Sequence, residues 1–239
     1  MNHEEMRERY MLSFAAAYYR GMAKRTGAPQ LSQGLLNMPL ERLNGEQMVE
    51  IVSHGCEIKD RLYYFKRTHE QMPRVKKVLG FLRSISFESL LDVGSGRGVF
   101  LLPFMELFPW VTVTSVDVLA HRVEFLRDLH DGGVAQLQTI QADICSAPIE
   151  ENSIDVVTML EVLEHIPQVQ RAVENAVRIA RKYVVVSVPS KPDDNPEHIH
   201  LLTKEALTAI FAQAGCTRLH FDGVNGHLIL VAAVGNMEE

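Results

Sequence analysis

Two groups of residues in this chain have side chains and a spacing that suit chemistry. In the first, a short apolar run through Val93 ends at Gly94, Gly96 and Gly98, three glycines on alternate positions. A strand that ends in such a loop lets its backbone approach a ligand where no side chain would fit. The helix that follows would direct its free N–H groups and its positive dipole end at the same point. The sequence therefore predicts a site for a nucleotide-like cofactor.

Three acidic residues extend this predicted site. Asp92 precedes the glycines, Asp117 ends the next apolar run, and Asp143 follows the run after that. A single aspartate in such a place more often caps a helix or a turn. Three of them at successive strand ends would meet at the carboxyl edge of a parallel sheet, where such folds bind ligands. We therefore expect these carboxylates to face the cofactor together with the glycine loop.

The second group begins after a fourth apolar run. Glu161, Glu164 and His165 lie there, and a later loop contains His198 and His200. If a helix begins at residue 161, the i, i+3 and i+4 spacing puts the first three on one side. Carboxylates and imidazoles serve as general acids and bases or as ligands for a divalent metal. The simpler interpretation is that His165 acts without a metal, as a base or as a hydrogen-bonding partner of the later loop.

The composition limits the classes of protein to consider. The chain has 239 residues, a net charge of −6 and 46% hydrophobic residues, which is typical of a globular protein and not of a nucleic-acid-coating one. Its beginning is too charged for a secretory signal, and we expect no membrane span. The three cysteines form no CxxC pair, so a reducing cytoplasm is the expected location.

The apolar pattern changes near residue 85. Residues 1–85 read as helices only, and residues 86–239 alternate between strands and helices. The predicted helices span 4–26, 44–68, 99–107, 121–129, 168–180 and 203–214, with another beginning at 73. The predicted strands span 89–93, 111–116, 135–141, 154–160, 183–188, 217–221 and 227–234, the last two forming a hairpin. The expected fold is α/β, a doubly wound and mostly parallel sheet with an all-helical N-terminal extension.

The segment Asp92–Gly98 resembles motif I of the class I S-adenosylmethionine-dependent methyltransferases. In a dinucleotide-binding loop the third glycine would stand at position 99, which is Val99 here. The resemblance covers about residues 75–234 and implies a seven-stranded sheet with S-adenosylmethionine as cofactor. It implies that the glycine loop holds the methionine part, Asp117 the ribose, and Asp143 with Ile144 the adenine. The full set of implied cofactor-binding residues is Asp92, Gly94, Ser95, Gly96, Gly98, Asp117, Val118, Asp143, Ile144 and Leu160.

The segment Glu161–His165 resembles two groups within that superfamily. One comprises small-molecule O-methyltransferases similar to the ubiquinone-pathway enzymes, and the other 2′-O-methylates the 3′ ends of small RNAs. The second resemblance implies a metal (Mg²⁺, Mn²⁺, Fe²⁺ or Zn²⁺) on Glu161, Glu164, His165 and His198, with His200 as the fallback ligand. The (Asp/Asn)-Pro-Pro-aromatic motif of amino-directed enzymes is absent from this position.

The preferred function is therefore O-methylation of a small or medium-sized metabolite, with His165, Glu161 and Glu164 facing the acceptor. Metal-dependent methylation of RNA 3′ ends and a cofactor-binding partner module without turnover are the alternatives. A basic stretch between residues 61 and 83, interleaved with Tyr63, Tyr64 and Phe65, could meet phosphates or wall an acceptor pocket. A solvated helix face over buried aromatics is the preferred interpretation of that stretch. The sequence predicts no oligomeric state.

Overall fold

A seven-stranded sheet forms the centre of the protein, in a computed structural model that describes residues 3–27, 31–192 and 194–235. The strands are β1 (Ser89–Val93), β2 (Thr112–Asp117), β3 (Leu137–Gln141), β4 (Ile154–Leu160), β5 (Ala180–Pro189), β6 (Arg218–Val224) and β7 (His227–Ala233). Their order is β3-β2-β1-β4-β5-β7-β6, and β7 runs in the direction opposite to that of the other six strands. The expected mostly parallel sheet and its terminal hairpin are both confirmed.

Helices cover both faces of this sheet. They are α1 (His3–Arg9), α2 (Leu12–Thr26), α3 (Gln33–Asn37), α4 (Gly45–Ile58), α5 (Pro73–Leu82), α6 (Leu101–Leu107), α7 (Ala120–Asp131), α8 (Val169–Ile179) and α9 (Lys204–Gln213). Leu90 joins the core formed with the N-terminal helices, α6 and α7, whereas Leu91 joins the core under α8 and α9. Successive strand residues point to opposite faces, so consecutive apolar residues such as Leu90 and Leu91 of β1 are what a sheet covered on both sides requires.

The N-terminal region contains helices as expected, but their limits differ from the prediction. The predicted helix over 4–26 is interrupted at Tyr10, which pairs with Lys66, and the N–H of Met11 donates to the Phe65 carbonyl over 2.8 Å. This backbone pairing substitutes for the helical hydrogen bonds that the break gives up. The sequence alone gave no sign that residues 65 and 66 would compete for this backbone.

The predicted helix over 44–68 begins as expected and ends early. Asn44 and Gln47 form the predicted capping box, but α4 ends at Ile58. Beyond it, the Tyr19 hydroxyl donates to the Lys59 carbonyl over 3.2 Å and accepts the N–H of Arg61 over 3.0 Å. Two short 3₁₀ turns, Leu62–Phe65 and Arg67–Gln71, follow. A buried tyrosine of α2 thus fixes the backbone where the sequence pattern predicted continued helix.

Helix α2 packs against α7 with the two backbones in close contact. A Cβ atom built on Gly21 would lie 1.8 Å from the Asp128 carbonyl oxygen, and one built on Gly132 would lie 1.7 Å from the Ala17 carbonyl oxygen. The guanidinium of Arg25 donates to both carboxylate oxygens of Asp128 over 2.8 Å. The N-terminal helices therefore pack against α7 at backbone distance, through a charged pair that is buried on its acidic side.

The other predicted elements lie within about three residues of their predicted limits, with β5 beginning three residues earlier than predicted, whereas α3 was not predicted. Such differences at element ends are usual, since the ends depend on tertiary hydrogen bonds. Of the helices in the described ranges, none has the length and apolar character that crossing a bilayer requires.

Candidate active site

The glycine loop leaves β1 in a conformation that side chains rarely adopt. Gly94 and Gly96 have φ angles of 66° and 57°, in the left-handed region that suits glycine. A Cβ atom on Gly94 would also lie 2.7 Å from Cγ2 of Val162, so this position has no space for a side chain. The N–H of Gly94 donates to the Val116 carbonyl over 2.8 Å, which ties the loop to the end of β2. The loop is thus held at the carboxyl edge of the sheet with its backbone exposed to the adjoining space.

Asp117 and Asp143 each use one oxygen to hold their own turn. Oδ1 of Asp117 accepts the N–H of Leu119 over 2.9 Å, and Oδ1 of Asp143 accepts the N–H of Cys145 over 2.8 Å. The capping role that is common for single aspartates is therefore present at both positions. It engages only one of the two oxygens of each carboxylate, so capping and ligand binding are compatible here.

Asp92 is buried in β1 under the glycine loop. Its Oδ1 accepts a hydrogen bond of 2.6 Å from the hydroxyl of Thr158 on β4. Burial raises its pKa to about 6, opposed by hydrogen bonds from Thr158 and Ser95 and assisted by the charge of Asp117. The Ser95 hydroxyl in turn lies 2.7 Å from the Ser115 hydroxyl, which links the loop to β2.

One cleft of about 740 Å³ opens at this edge of the sheet. Its volume is within the range of small-molecule and cofactor sites. The predicted residues that line it are Gly94, Gly96, Asp117, Val118, Asp143, Ile144, Glu161 and His165. The predicted residues outside its lining are Asp92, Ser95, Gly98, Leu160, Glu164, His198 and His200. Gly98 instead lies against α6, where a Cβ would come 2.8 Å from Cγ of Leu102.

Glu161 lies at the far side of this cleft in a strained backbone conformation, with φ of 59°. Its N–H donates to the Ser187 carbonyl over 2.9 Å, and its Oε1 accepts a hydrogen bond of 2.7 Å from the Ser187 hydroxyl. Its Oε2 lies 2.9 Å from Nδ1 of His227, the first residue of β7. These contacts to β5 and β7 hold the carboxylate in place and offset the cost of the conformation.

The prediction that Glu161, Glu164 and His165 share one side of a helix is wrong. A single 3₁₀ turn, Leu163–His165, stands where the α-helix was expected, and the positive φ of Glu161 excludes that residue from it. The side chain of Glu161 consequently pairs with Ser187 and His227, away from the other two. The i, i+4 rule does not apply because it presumes α-helical backbone.

Glu164, His165 and His198 do meet. One ligand atom from each lies within 4.8 Å of the other two, and Glu164 is completely buried. Nδ1 of His165 lies 2.9 Å from the Glu197 carbonyl oxygen. Since a carbonyl can only accept, Nδ1 carries the proton and Nε2 of the neutral ring keeps its lone pair. The fallback ligand His200 instead places Nε2 3.1 Å from the Ile166 carbonyl.

Two arginines that line the cleft, Arg97 and Arg122, are not among the site residues predicted from the sequence. Arg97 stands inside the glycine motif, where its position alone was a usable signal. Arg122 is the third residue of α7, directly after the turn that Asp117 holds. Its approach to the cleft depends on the direction in which α7 leaves the sheet, which the sequence pattern does not give.

Comparison with known proteins agrees with this geometry. Residues 91–186 match the family described as a methyltransferase domain. A ubiquinone biosynthesis O-methyltransferase from Cupriavidus pinatubonensis is 27% identical over 117 residues, which cover 49% of this chain and 47% of that protein. The chain thus spans about half the length of the curated relatives it matches.

Solved structures show the same fold. An S-adenosylmethionine-dependent methyltransferase from Aquifex aeolicus has a TM-score of 0.58 at 19% identity, covering 71% of this chain and 94% of that one. A magnesium protoporphyrin IX methyltransferase from Synechocystis, solved with bound S-adenosylhomocysteine, has a TM-score of 0.55 at 16% identity, covering 70% of this chain and 84% of that one. At these identities the likeness concerns the fold.

Proposed function

We propose that this chain, which belongs to the class I S-adenosylmethionine-dependent methyltransferase superfamily, methylates an oxygen of a small or medium-sized metabolite. The observation that carries the proposal is the convergence of the glycine loop, Asp117 and Asp143 on a single cleft. The similarity to ubiquinone biosynthesis O-methyltransferases supports oxygen as the acceptor atom. A small molecule fits a cleft of this volume, and none of the relatives and solved structures named above is described as acting on RNA.

The cofactor would lie along the carboxyl edge of β1, β2 and β3. Gly94 and Gly96 would leave room for its methionine part, and the second oxygen of Asp117 would accept from the ribose hydroxyls. Asp143 and the N–H of Ile144 would meet the adenine edge, with Val118 beside the ligand, whereas Leu160 lies outside the lining of the cleft. Asp92 and Ser95 would not contact the cofactor directly. Their hydrogen bonds to Thr158 and Ser115 hold the glycine loop that would bind the amino group of the cofactor. Gly98 keeps α6 close behind the loop.

When bound, S-adenosylmethionine supplies a methyl group attached to a positively charged sulfur. The acceptor oxygen would attack the methyl carbon while the bond between that carbon and the sulfur breaks. The contribution of this chain is mainly alignment of the acceptor with that bond. His165 lines the cleft with Nε2 able to accept a proton, because Nδ1 is held by the Glu197 carbonyl. We assign to His165 the removal of the acceptor's proton. Glu161 shapes the same wall through Ser187 and His227.

Calorimetry with S-adenosylhomocysteine tests the cofactor assignment. The variant Asp117→Asn keeps the oxygen that accepts from Leu119 and replaces the second oxygen by an amide group. We expect about a tenfold or greater loss of affinity, since hydrogen bonds to a charged group contribute about 1.5–3 kcal/mol. The exposed Asp131→Asn at the end of α7 is the matched control and should bind as the unaltered protein does. Binding of NADH in place of S-adenosylhomocysteine would contradict the assignment.

As the alternative to proton removal by His165, we propose that Glu164, His165 and His198 hold a divalent cation. The donor set fits, because one buried carboxylate and two imidazoles lie within 4.8 Å of one another and the Glu197 carbonyl orients His165 from behind. A cation there would lower the pKa of an acceptor hydroxyl, so His165 would then act as a ligand and not as the base. Glu161 is not part of this set, since its oxygens face Ser187 and His227.

Titration with Mn²⁺, followed by electron paramagnetic resonance, tests this site independently of activity. We expect His198→Ala to weaken binding at least tenfold and His200→Ala to leave it unchanged. Absence of Mn²⁺ binding at micromolar concentration, or full activity in EDTA, would remove the metal and leave His165 as the base.

Release of S-adenosylhomocysteine in the presence of cell extracts distinguishes an enzyme from a binding module without turnover. We expect release that survives treatment of the extract with RNase. Loss of the signal after RNase would favour RNA as the acceptor, and no release with any extract would favour the module.

The three cysteines are free thiols, which supports a reducing cytoplasm as the place of action.

A further inference from the structure

Two arginines from separate parts of the chain, Arg61 and Arg97, lie against the ring of Tyr64, and Arg97 also lines the cleft together with Arg122. Cζ of Arg61 lies 5.0 Å from the ring centroid and Cζ of Arg97 lies 5.5 Å from it. The Arg61 guanidinium also donates to the Tyr64 hydroxyl. Arg122, which lines the cleft beside Arg97, is close enough for its charge to act on the same hydroxyl. The fold therefore gathers three positive charges where the sequence showed only one of them in its basic stretch.

These charges differ from the other cations of that stretch. Arg67 pairs with Glu106 over 2.9 Å, and Lys77 pairs with Asp222. Across the part of the chain that the structure describes, no carboxylate oxygen lies within 4 Å of the guanidinium groups of Arg61, Arg97 or Arg122. Like charges that lie close together repel one another, and an anion bound between them relieves this repulsion. In a chain of net charge −6, such a concentration is a local feature and not a consequence of composition.

Tyr64 is packed into the hydrophobic core beneath these arginines. Its side chain is buried, and its ring packs edge-on against Phe125 of α7 with centroids 5.3 Å apart. Burial raises the pKa of its hydroxyl, but a hydrogen bond with Tyr63 and the charges of Arg61, Arg122 and Arg97 outweigh that effect and lower the pKa. The cluster thus has a fixed base, a hydroxyl donor and three guanidinium groups that can donate in pairs.

We propose that Arg61, Arg97 and Arg122, with the Tyr64 hydroxyl, form a subsite for an anionic group of the methyl acceptor, a carboxylate or a phosphate. The inference rests on the proposed methyltransferase function and narrows its substrate class to anionic metabolites. Guanidinium groups bind both kinds of anion through paired hydrogen bonds. The subsite would hold the acceptor at the mouth of the cleft while its hydroxyl reaches toward His165.

The amino acid part of the cofactor contains a carboxylate, and this carboxylate is the other anion that the arginines could bind. One guanidinium is sufficient to bind one carboxylate in a bidentate pair, so three exceed what the cofactor alone requires. Arg122 lies in the first turn of α7, which follows Asp117 in the chain. It is therefore on the side of the cleft assigned to the ribose and not to the methionine part. We therefore assign the subsite to the acceptor.

Calorimetry with simple probes tests this subsite without knowledge of the acceptor. The protein saturated with S-adenosylhomocysteine is titrated with inorganic phosphate and with benzoate, and benzamide serves as the uncharged counterpart of benzoate. We expect both anions to bind and benzamide to bind at least tenfold more weakly. Arg97→Gln and Arg122→Gln should each weaken anion binding about tenfold or more. Arg127→Gln, an exposed arginine on the same helix α7, should leave it unchanged.

A second titration identifies the source of the anion. Affinities for S-adenosylhomocysteine and for 5′-methylthioadenosine, which lacks the amino acid part, are compared in the same variants. We expect both affinities to stay within about twofold. If only the affinity for S-adenosylhomocysteine falls, the arginines hold the cofactor carboxylate and the acceptor subsite is refuted. Equal anion binding by the unaltered protein and the arginine variants, or none by either, would also refute it. If the protein bound phosphate through these arginines but bound neither S-adenosylhomocysteine nor 5′-methylthioadenosine, the result would contradict the proposed methyltransferase function. It would leave the anion subsite supported.

Discussion

At the scale of single residues, Asp92 has an environment that opposes its charge. It is buried in β1, an interior strand of the sheet, and the Thr158 hydroxyl that donates to it does not fully compensate for lost hydration. Its pKa of about 6 in the folded protein lies above the ordinary value of 3.8. The folded state therefore binds this proton more tightly than the unfolded chain does. The carboxyl group contributes stability below about pH 4 that is lost as the pH rises to about 6.

The variant Asp92→Asn tests this linkage, because its amide oxygen can still accept from Thr158. We expect the stability of the variant, relative to the unaltered protein, to increase between pH 4 and pH 6.5 by up to roughly 3 kcal/mol. Urea unfolding at several pH values measures the difference. Asp131→Asn, an exposed control, should show no such trend, and a constant difference for Asp92→Asn would mean that the buried carboxyl is not destabilising.

Arg25 and Asp128 form the charged contact between the N-terminal helices and α7. The Asp128 side chain is only 1% exposed, whereas that of Arg25 is 36% exposed. We expect Arg25→Met to lower the free energy of unfolding by about 2 kcal/mol, mainly because a buried carboxylate loses its partner. Adding Asp128→Asn should recover part of the loss. Additive effects of the two substitutions in a double-mutant cycle would show that the pair is not coupled.

At the scale of elements, the crossing of α2 over α7 depends on the absence of side chains at two positions. We expect Gly21→Ala to destabilise the protein by more than about 3 kcal/mol, since its Cβ would overlap the Asp128 carbonyl and overpacked contacts of this kind force the backbone apart. Gly80→Ala in α5 is the matched control. No atom lies within 4 Å of its added Cβ, so the alanine should stabilise the helix by about 0.5–1 kcal/mol. Thermal unfolding of both variants measures the contrast, and equal midpoints would refute the close contact.

At the scale of the whole molecule, the N-terminal helices and one face of the sheet share a single hydrophobic core. Tyr18 of α2 contacts both Phe65 and Phe125, with centroids 5.8 and 5.0 Å apart. The sequence pattern predicts an extension over 1–85 and a cofactor-binding domain over 86–239, and this division remains a proposal. The shared core leads us to expect that the two parts depend on each other for stability.

Expression of residues 73–239 alone tests this dependence. This fragment lacks the helices that cover α7, so we expect it to be aggregated or to unfold without a cooperative transition in urea. The full chain, handled in parallel, should unfold in one transition. A fragment that folds and binds S-adenosylhomocysteine as the full chain does would make the N-terminal helices an independent cap.

The sequence by itself determined the parts of this protein that local patterns encode. Apolar runs predicted the strands and the α/β class, because each strand of a covered parallel sheet must be apolar on both faces. The glycine loop with Asp117 and Asp143 predicted one edge of the cleft, because parallel strands bring their carboxyl ends together. Only the tertiary structure decided which side chains meet across elements. It separated Glu161 from Glu164 through a 3₁₀ turn, ended α4 at a tyrosine of α2, and brought Arg61 and Arg97 to Tyr64 and Arg122 to the cleft beside Arg97. Such contacts depend on the directions in which elements leave the sheet, and the spacing of residues along the chain does not carry that information.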